Sequence, residues 1–395
     1  MSQIQLPFDT DNPVLARAAW SRLIEPGDRD AGALLAIVQP GVALRAVAEG
    51  VAVDEWRGIV GPKAAARALQ RWRPRLEKLD PRRELRALES FGGTFLSPDH
   101  PGWPEGLGDL GLECPVALWV WAPPEVAAQL GALLRPGVAL VGSRASTAYG
   151  ETVTAQMVTD LVGHGLAIVS GGAFGIDATA HRACLALGGF TVAVMAGGVD
   201  RLYPLANESL LRSITEHGAV ISELPPGSAP RRERFLSRNR LIAALGSATV
   251  VTESNWRSGS HRTARAAAAL MRPVGAVPGP VTSASSAGCH KLVREGVATL
   301  VTGADEVREL VAPLGEVCLI EPDVGRGPLD GLAAPERQVF DSLPARQAAT
   351  LTAIVTASGM STPQVLAALG RLERAGRAAQ AGGLWRRVNT TKAAA

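Results

Sequence analysis

Lysine is nearly missing from this 395-residue chain. Lys63, Lys78, Lys291 and Lys392 are the only four, so 36 of the 40 Lys+Arg residues are arginine. Coding bias in a GC-rich genome explains most of that excess, so only local clusters of arginine carry functional weight. Where they cluster, guanidinium forks suit phosphate oxygens and base faces. Aromatic residues are scarce as well, at 4%. Cys114, Cys184, Cys289 and Cys318 are scattered, with no C-x-x-C pair and no histidine at ligand spacing. That pattern argues against a zinc site and is ordinary for reduced thiols in the cytosol. Strong net charge is also lacking: the value of +3 permits a polyanionic partner without requiring one. The opening MSQIQLPFDTDNP has no basic-then-apolar signal pattern, and no stretch reaches the ~18 apolar residues of a membrane span. The expectation is a cytoplasmic protein with no membrane segment, no metal and no cofactor.

What is present is enough apolar sequence for two or three packed domains, with 47% hydrophobic and 19% charged residues. Residues 12–84 read as helical, with breaks at Pro26-Gly27, Pro40-Gly41 and Gly61-Pro62. This small helical domain is placed at 1–85, and its segment 58–65 is taken as an ordinary αα-turn rather than a helix-hairpin-helix. A Gly/Pro/Trp-rich connector follows, carrying a short strand at 116–120. From Gly137 onward, apolar runs at 138–141, 166–169, 191–195, 219–221, 249–252, 274–277 and 299–301 alternate with helix-sized intervals. Such alternation predicts βαβ units in an α/β, doubly wound parallel sheet, here an extended Rossmann-like domain over 86–312. Residues 313–332 read as a linker. Three helices and a hairpin about Gly382-Gly383 then predict a winged helix over 333–390, with Ser361 or Thr362 capping its third helix, and 391–395 form a tail.

Four strand-to-helix corners carry the chemistry. The first is Val141-Gly142-Ser143-Arg144, where Gly142 admits a phosphate close to the backbone, Ser143 can donate a hydrogen bond and Arg144 supplies a fork. This corner has no G-x-G-x-x-G, so a dinucleotide reading is poorly supported there. The second is Ser170-Gly171-Gly172-Ala173-Phe174-Gly175-Ile176-Asp177, a glycine-rich anion cradle. Asp177 is expected to cap the next helix and brace the loop, and His181 lies four residues on; the pair is read as structural support rather than as an acid–base couple. The third runs from Met195 to Pro204. The fourth is Glu253-Ser254-Asn255-Trp256-Arg257-Ser258-Gly259-Ser260. Between the third and fourth lies Arg231-Arg232-Glu233-Arg234-Phe235-Leu236-Ser237-Arg238-Asn239-Arg240, five arginines around a rare aromatic. Arginine for phosphate with an aromatic for stacking suits single-stranded nucleic acid.

In order along the chain, Val-Gly-Ser-Arg (141–144), Ser-Gly-x-Ala-x-Gly-Ile-Asp (170–177), Ala-His (180–181), Gly-Val-Asp-x-x-Tyr-Pro (198–204), Ser-Glu-x-Pro-Pro-Gly (222–227), Arg-Asn-Arg (238–240) and Arg-Ser-Gly-Ser (257–260) resemble the DprA/Smf family. Val277-Pro278-Gly279 and Gly288-Cys289 extend the match. The resemblance implies a SAM-like helical domain, a Rossmann-like domain that binds single-stranded DNA, and a winged helix. It also implies a homodimer that protects incoming DNA and loads RecA recombinase during natural transformation and homologous recombination, and no enzymatic activity. The family's DNA-contacting positions fall on Gly142, Ser143, Arg144, Ser170, Gly171, Gly175, Phe235, Arg238, Asn239 and Arg240; Arg232, Ser258 and Gly259 complete the candidate set. Departures are Gly172 and Phe174 in the second motif, Leu205 where many members carry a base, and His261-Arg262 after Arg-Ser-Gly-Ser, a pair expected to add charge.

Two other functions compete. A nucleotide-processing phosphoribohydrolase on a related fold would need Pro-Gly-Gly-x-Gly-Thr-x-x-Glu, which Pro278-Gly279-Pro280 does not supply. A sequence-specific repressor would read duplex with the third winged-helix helix, which offers few base-reading side chains beyond Gln364, Arg371 and Arg374. Whether that module binds DNA or protein stays open at this level.

Overall fold

A computed structural model describes residues 4–312, 332–344 and 347–388. The linker expected at 313–332, all but its last residue, and the tail at 391–395 lie outside the described residues. The chain forms two compact units, Met1–Cys318 and Leu319–Ala395.

The first unit opens with six helices: α1 (Pro13–Leu23), α2 (Arg29–Leu35), α3 (Pro40–Glu49), α4 (Asp54–Val60), α5 (Pro62–Leu76) and α6 (Pro81–Ser90). Local sequence dictates their starts. Asn12 accepts the N–H groups of Val14 and Leu15, Asp28 caps α2, and Pro sits in the first turn of α1, α3, α5 and α6. The segment 58–65 is an αα-turn about Gly61 at φ +85°. Trp20, Trp56 and Trp72 centre this layer: Trp72 meets Trp20 edge-on at 5.3 Å and Trp56 nearly stacked at 5.6 Å. Each indole N–H is satisfied, by the Pro40 carbonyl, the Asp30 carbonyl and the Asp28 carboxylate, so burial costs no orphan donor.

The expected boundary at 85/86 falls inside α6. Leu88 of that helix and Ala18 of α1 share a core with Trp119, Ala193 and Val220 of the sheet, and the Trp119 indole donates to Ser21 Oγ at 3.1 Å. The helical layer is therefore built onto the sheet.

Nine strands form that sheet: β1 (Thr94–Leu96), β2 (Leu118–Trp121), β3 (Gly137–Val141), β4 (Ala167–Ser170), β5 (Thr191–Val194), β6 (Ala219–Ser222), β7 (Ala248–Val251), β8 (Val274–Ala276) and β9 (Thr299–Leu300). Their order is β1-β2-β6-β5-β4-β3-β7-β8-β9. From β6 to β9 every pairing is parallel, as the alternation predicts. The β1–β2 and β2–β6 pairings are antiparallel. Short helices α7 (Pro124–Ala128) and α8 (Leu130–Leu133) lead into β3, and α9 (Ala148–Gly163), α10 (Ile176–Ala186), α11 (Glu208–His217), α12 (Arg232–Leu245), α13 (Ser260–Ala269), α14 (Ala287–Arg294) and α15 (Ala304–Val311) alternate with the strands. Central strands are buried on both faces, which is why they read as continuous apolar runs. The chain turns left from β3 to β4 and later returns to β7 on the other side of β3. That reversal is the switch point where such sheets bind ligands, at the carboxyl ends of the strands.

The second unit contains α16 (Ala334–Ser342), α17 (Leu351–Ser358) and α18 (Thr362–Arg374), with strands β10 (Ala349–Thr350), β11 (Ala378–Ala381) and β12 (Leu384–Arg387) in one antiparallel sheet. Ser361 caps α18 in a capping box with Gln364. Val339, Ile354, Val365, Leu369 and Trp385 fill its core.

Candidate nucleic-acid interface

A cleft of about 890 Å³ opens at the switch point, between the loops after β3 and β7 and the first turns of α12. Its wall on the β3 side is Gly142-Ser143-Arg144, and its wall on the β7 side runs from Asn255 through Arg257-Ser258-Gly259. Arg231, Arg232, Phe235, Arg238 and Asn239 of the α12 start complete the lining. Five lining arginines (144, 231, 232, 238, 257) face one lining carboxylate, Asp177. The field inside is therefore strongly positive although the chain is near neutral, which favours a polyanion.

Interlocking loops fix the walls. Ser143 N–H donates to the Glu253 carbonyl at 2.8 Å and Ile176 N–H to the Ser143 carbonyl at 3.2 Å. A Cβ on Gly142 would lie 2.5 Å from the Ile176 side chain, and one on Gly175, at φ +71°, 2.3 Å from the Ser143 oxygen. Glycine at these positions lets three corners touch. The buried Glu253 carboxylate accepts from Thr147 N–H at 2.8 Å and its hydroxyl at 2.7 Å, seating the start of α9.

The glycine-rich second corner plays a supporting part. Ser170 is buried and its hydroxyl donates to the Leu140 carbonyl at 2.6 Å. Gly171 leaves room for the Arg238 guanidinium, which a Cβ would approach to 2.5 Å. Asp177 does not cap α10, whose N-cap is Gly175. Lying within the first turn, it instead accepts the N–H groups of Gly171 and Ala173 at 3.2 and 3.3 Å, bracing the loop. Burial raises its pKa, opposed chiefly by Arg238.

His181 stands away from the cleft. Its Nδ1 lies 2.8 Å from Thr191 Oγ1, and that hydroxyl donates its own proton to the Ile168 carbonyl at 3.0 Å. Nδ1 must then be the donor, which fixes the neutral tautomer. Burial, with Arg238 adding to it, pushes the imidazole pKa down to about 3. It braces Thr191, whose hydroxyl ties β5 to β4, and has no proton to offer the cleft.

The arginine cluster divides sharply. Arg240 is buried and points away from the cleft, its two Nη atoms each 2.7 Å from a Glu223 oxygen and its Nε donating to the Glu113 carbonyl. The expectation that it neutralises a phosphate is corrected: its charge is already matched inside the protein. Arg234 is also committed, forked onto Glu25 at 2.8 and 3.0 Å. Arg238 lies at the cleft floor, 5% exposed. Its Nη1 donates to the Gly171 and Val194 carbonyls, while Nε is buried with no partner. Burial lowers its pKa to about 10, against the pull of Asp177, so it stays charged at neutral pH. Arg231 and Arg232 are exposed, and their guanidinium groups have neither hydrogen-bond nor ion-pair partners among the described residues, although the Arg231 charge helps to lower the Glu25 pKa.

Phe235 sits at the centre of a small aromatic platform. Arg144 Cζ lies 5.5 Å from its ring centroid and the half-exposed Tyr203 ring 5.5 Å away at 57°. Tyr203, Arg231 and Arg257 belong to the cleft but were not among the candidate residues. Their signal is in the sequence, since each lies within a stretch already read there: 198–204, 231–240 and 257–260. His261, expected to add charge, is buried, and burial together with Lys291 and Arg265 lowers its pKa. Gly106, Gly108 and Gly111 spell G-x-G-x-x-G, but in a 3₁₀ segment rather than between a strand and a helix, and none of them lines the cleft.

Residues 94–312 match the family described as DNA recombination-mediator protein A. Over 386 residues, 95% of each chain, the protein is 43% identical to the putative DNA processing protein DprA of Mycobacterium tuberculosis H37Rv. It is 41% identical over 174 residues to DNA processing protein DprA of Streptococcus pneumoniae R6, covering 44% of this chain and 61% of that protein. The X-ray structure of the S. pneumoniae protein superposes with a TM-score of 0.59 at 30% identity, covering 78% of this chain and 98% of the other. The ordered motifs, the switch-point cleft they build and these likenesses agree, and the chain belongs to the DNA recombination-mediator protein A (DprA/Smf) family.

Proposed function

We propose that this protein binds single-stranded DNA in the switch-point cleft and acts as a recombination mediator, without catalysing a reaction on the strand. The observation that carries the reading is the pairing, in one cleft, of exposed arginines that have no ion-pair partner among the described residues with an accessible aromatic platform. Arg231, Arg232 and Arg257 can take phosphates, while Phe235 and Tyr203 offer ring faces that only unpaired bases can reach. The Gly142–Arg144 corner adds a backbone approach to the same groove. On this reading Gly142, Ser143, Arg144, Arg232, Phe235, Arg238, Asn239, Ser258 and Gly259 contact the strand, whereas Ser170, Gly171, Gly175, Asp177 and His181 hold the contacting loops in place. A binding role also suits the Asp177 and His181 geometry, since each is engaged structurally and they form no acid–base couple. Family membership supports the wider role: a cytoplasmic homodimer that protects incoming strands and delivers them to RecA recombinase in transformation and recombination.

The test is a gel shift comparing labelled single strands, duplex and free nucleotides across a salt series. Log affinity for single strands should fall linearly with log salt at about −0.7 per phosphate contacted. Equal affinity for duplex and single strand would overturn the reading, and turnover of nucleotides by the purified protein would favour the phosphoribohydrolase class.

A further inference from the structure

Trp256 stands apart among the eight tryptophans of the chain. Trp20, Trp56, Trp72 and Trp119 are fully buried, yet Trp256 is 49% exposed on the loop after β7. Its sequence neighbours Asn255 and Arg257 line the cleft, so its backbone borders the cleft while its indole faces α14. Two cations from α14 lie over it: Lys291 Nζ is 4.6 Å and Arg294 Cζ 5.7 Å from the ring centroid. In a chain with four lysines, one of them is placed here. Glu295 offsets this group only in part, bonded to Arg265 at 2.6 Å and 3.9 Å from Lys291. Arg257, Arg265, Lys291 and Arg294 therefore outnumber the carboxylate.

We propose that Trp256, Lys291 and Arg294 form a second stacking station, which receives a nucleotide of the strand as it leaves the cleft past Arg257. The inference rests on the single-strand reading of the cleft. An indole half in water contributes little to folding by burial, whereas an exposed ring among cations matches both components of a nucleotide. The ring takes the base face and the cations take its phosphate. The station lies on a different loop and helix from the Phe235 platform, so the two engage different nucleotides.

The two stations predict different dependences on length. Full-length wild type, Trp256→Leu and Phe235→Ala are titrated with oligo(dT) from about 4 to about 16 nucleotides, the span of single-strand site sizes. Trp256→Leu should match wild type on the shortest strands and lose roughly five- to 150-fold on the longer ones. Phe235→Ala should weaken every length. As a readout independent of folding, iodouracil-containing long strands should photocross-link to Trp256 of the wild type. If Trp256→Leu follows wild type at all lengths while Phe235→Ala still weakens binding, the second station is wrong and the cleft reading stands. Equal loss at every length, or no cross-link to Trp256, also overturns it. A wild type without single-strand preference overturns the cleft reading itself.

Discussion

Replacing Arg240 with methionine should damage stability and leave the electrostatics of DNA binding untouched, the opposite of what the sequence cluster suggests. The guanidinium is bidentate on Glu223, and both side chains are about nine-tenths buried. Burial alone would depress the arginine's pKa, but Glu223 outweighs it and the value is raised. Removing one partner strands the other carboxylate, at a cost of about 3–5 kcal/mol. At ~2 °C per kcal/mol for a large domain, the melting temperature should drop by about 6–10 °C. The double variant Arg240→Met/Glu223→Leu removes both charges and should recover most of that loss. Thermal melts of wild type, Arg240→Met, Glu223→Leu and the double variant supply the cycle. The salt dependence of single-strand affinity, measured where each protein is folded, should keep its wild-type slope. A flatter slope in Arg240→Met without loss of stability would refute the assignment and return Arg240 to the phosphate contacts.

Arg232→Gln should do the reverse, flattening the salt slope by about 0.7 with an unchanged melting temperature; an unaltered slope would make Arg232 a solvated bystander. Phe235→Ala should cost ~1–3 kcal/mol of single-strand affinity by equilibrium titration while the protein stays folded. Gly175→Ala places a methyl against the Ser143 oxygen at a left-handed φ, so it should cost more than ~1 kcal/mol in denaturant melts and weaken binding; wild-type behaviour in both assays would show that the corners do not interlock. His181 has a folded pKa of about 3 against ~6.5 unfolded. Between those values the unfolded chain takes a proton that the folded chain refuses, so His181 should cost about 2 kcal/mol of stability at pH 5 relative to neutral pH. His181→Gln should show that much less acid sensitivity, and parallel pH curves for the two proteins would exclude this account.

The central parallel strands were legible because each is buried on both faces and so forms a short uninterrupted apolar run. The first strand, Thr94–Leu96, was not: it is three residues long in a Gly-rich connector and exists only through its partner β2. The corner glycines were legible as anion-friendly turns, but the neighbours that demand them, Ile176, Glu253, Ser143 and Arg238, lie on other corners and on α12, which local spacing does not encode. The arginine cluster shows this most clearly. Ten adjacent residues announce positive charge, yet which guanidinium is free depends on Glu25 and Glu223, 209 and 17 residues from their partners. Charge density is a local property, and charge availability is set by the tertiary fold.

The seam between the helical layer and the sheet matters to anyone who shortens the gene. A fragment starting at residue 86, where the sequence suggests a clean cut, loses Ser21 and leaves the Trp119 indole N–H without its acceptor. It also loses Arg22, which donates to the Pro226 carbonyl and the Ser228 hydroxyl, and Glu25, which holds Arg234. Those contacts tether the stretch that leads into Arg231 and Arg232. Such a fragment should expose a sticky apolar surface and let the arginines at the cleft mouth wander, so weak DNA binding by it would report on the excision rather than on the cleft. Comparisons between long and short versions of this protein are therefore best made with the first six helices retained.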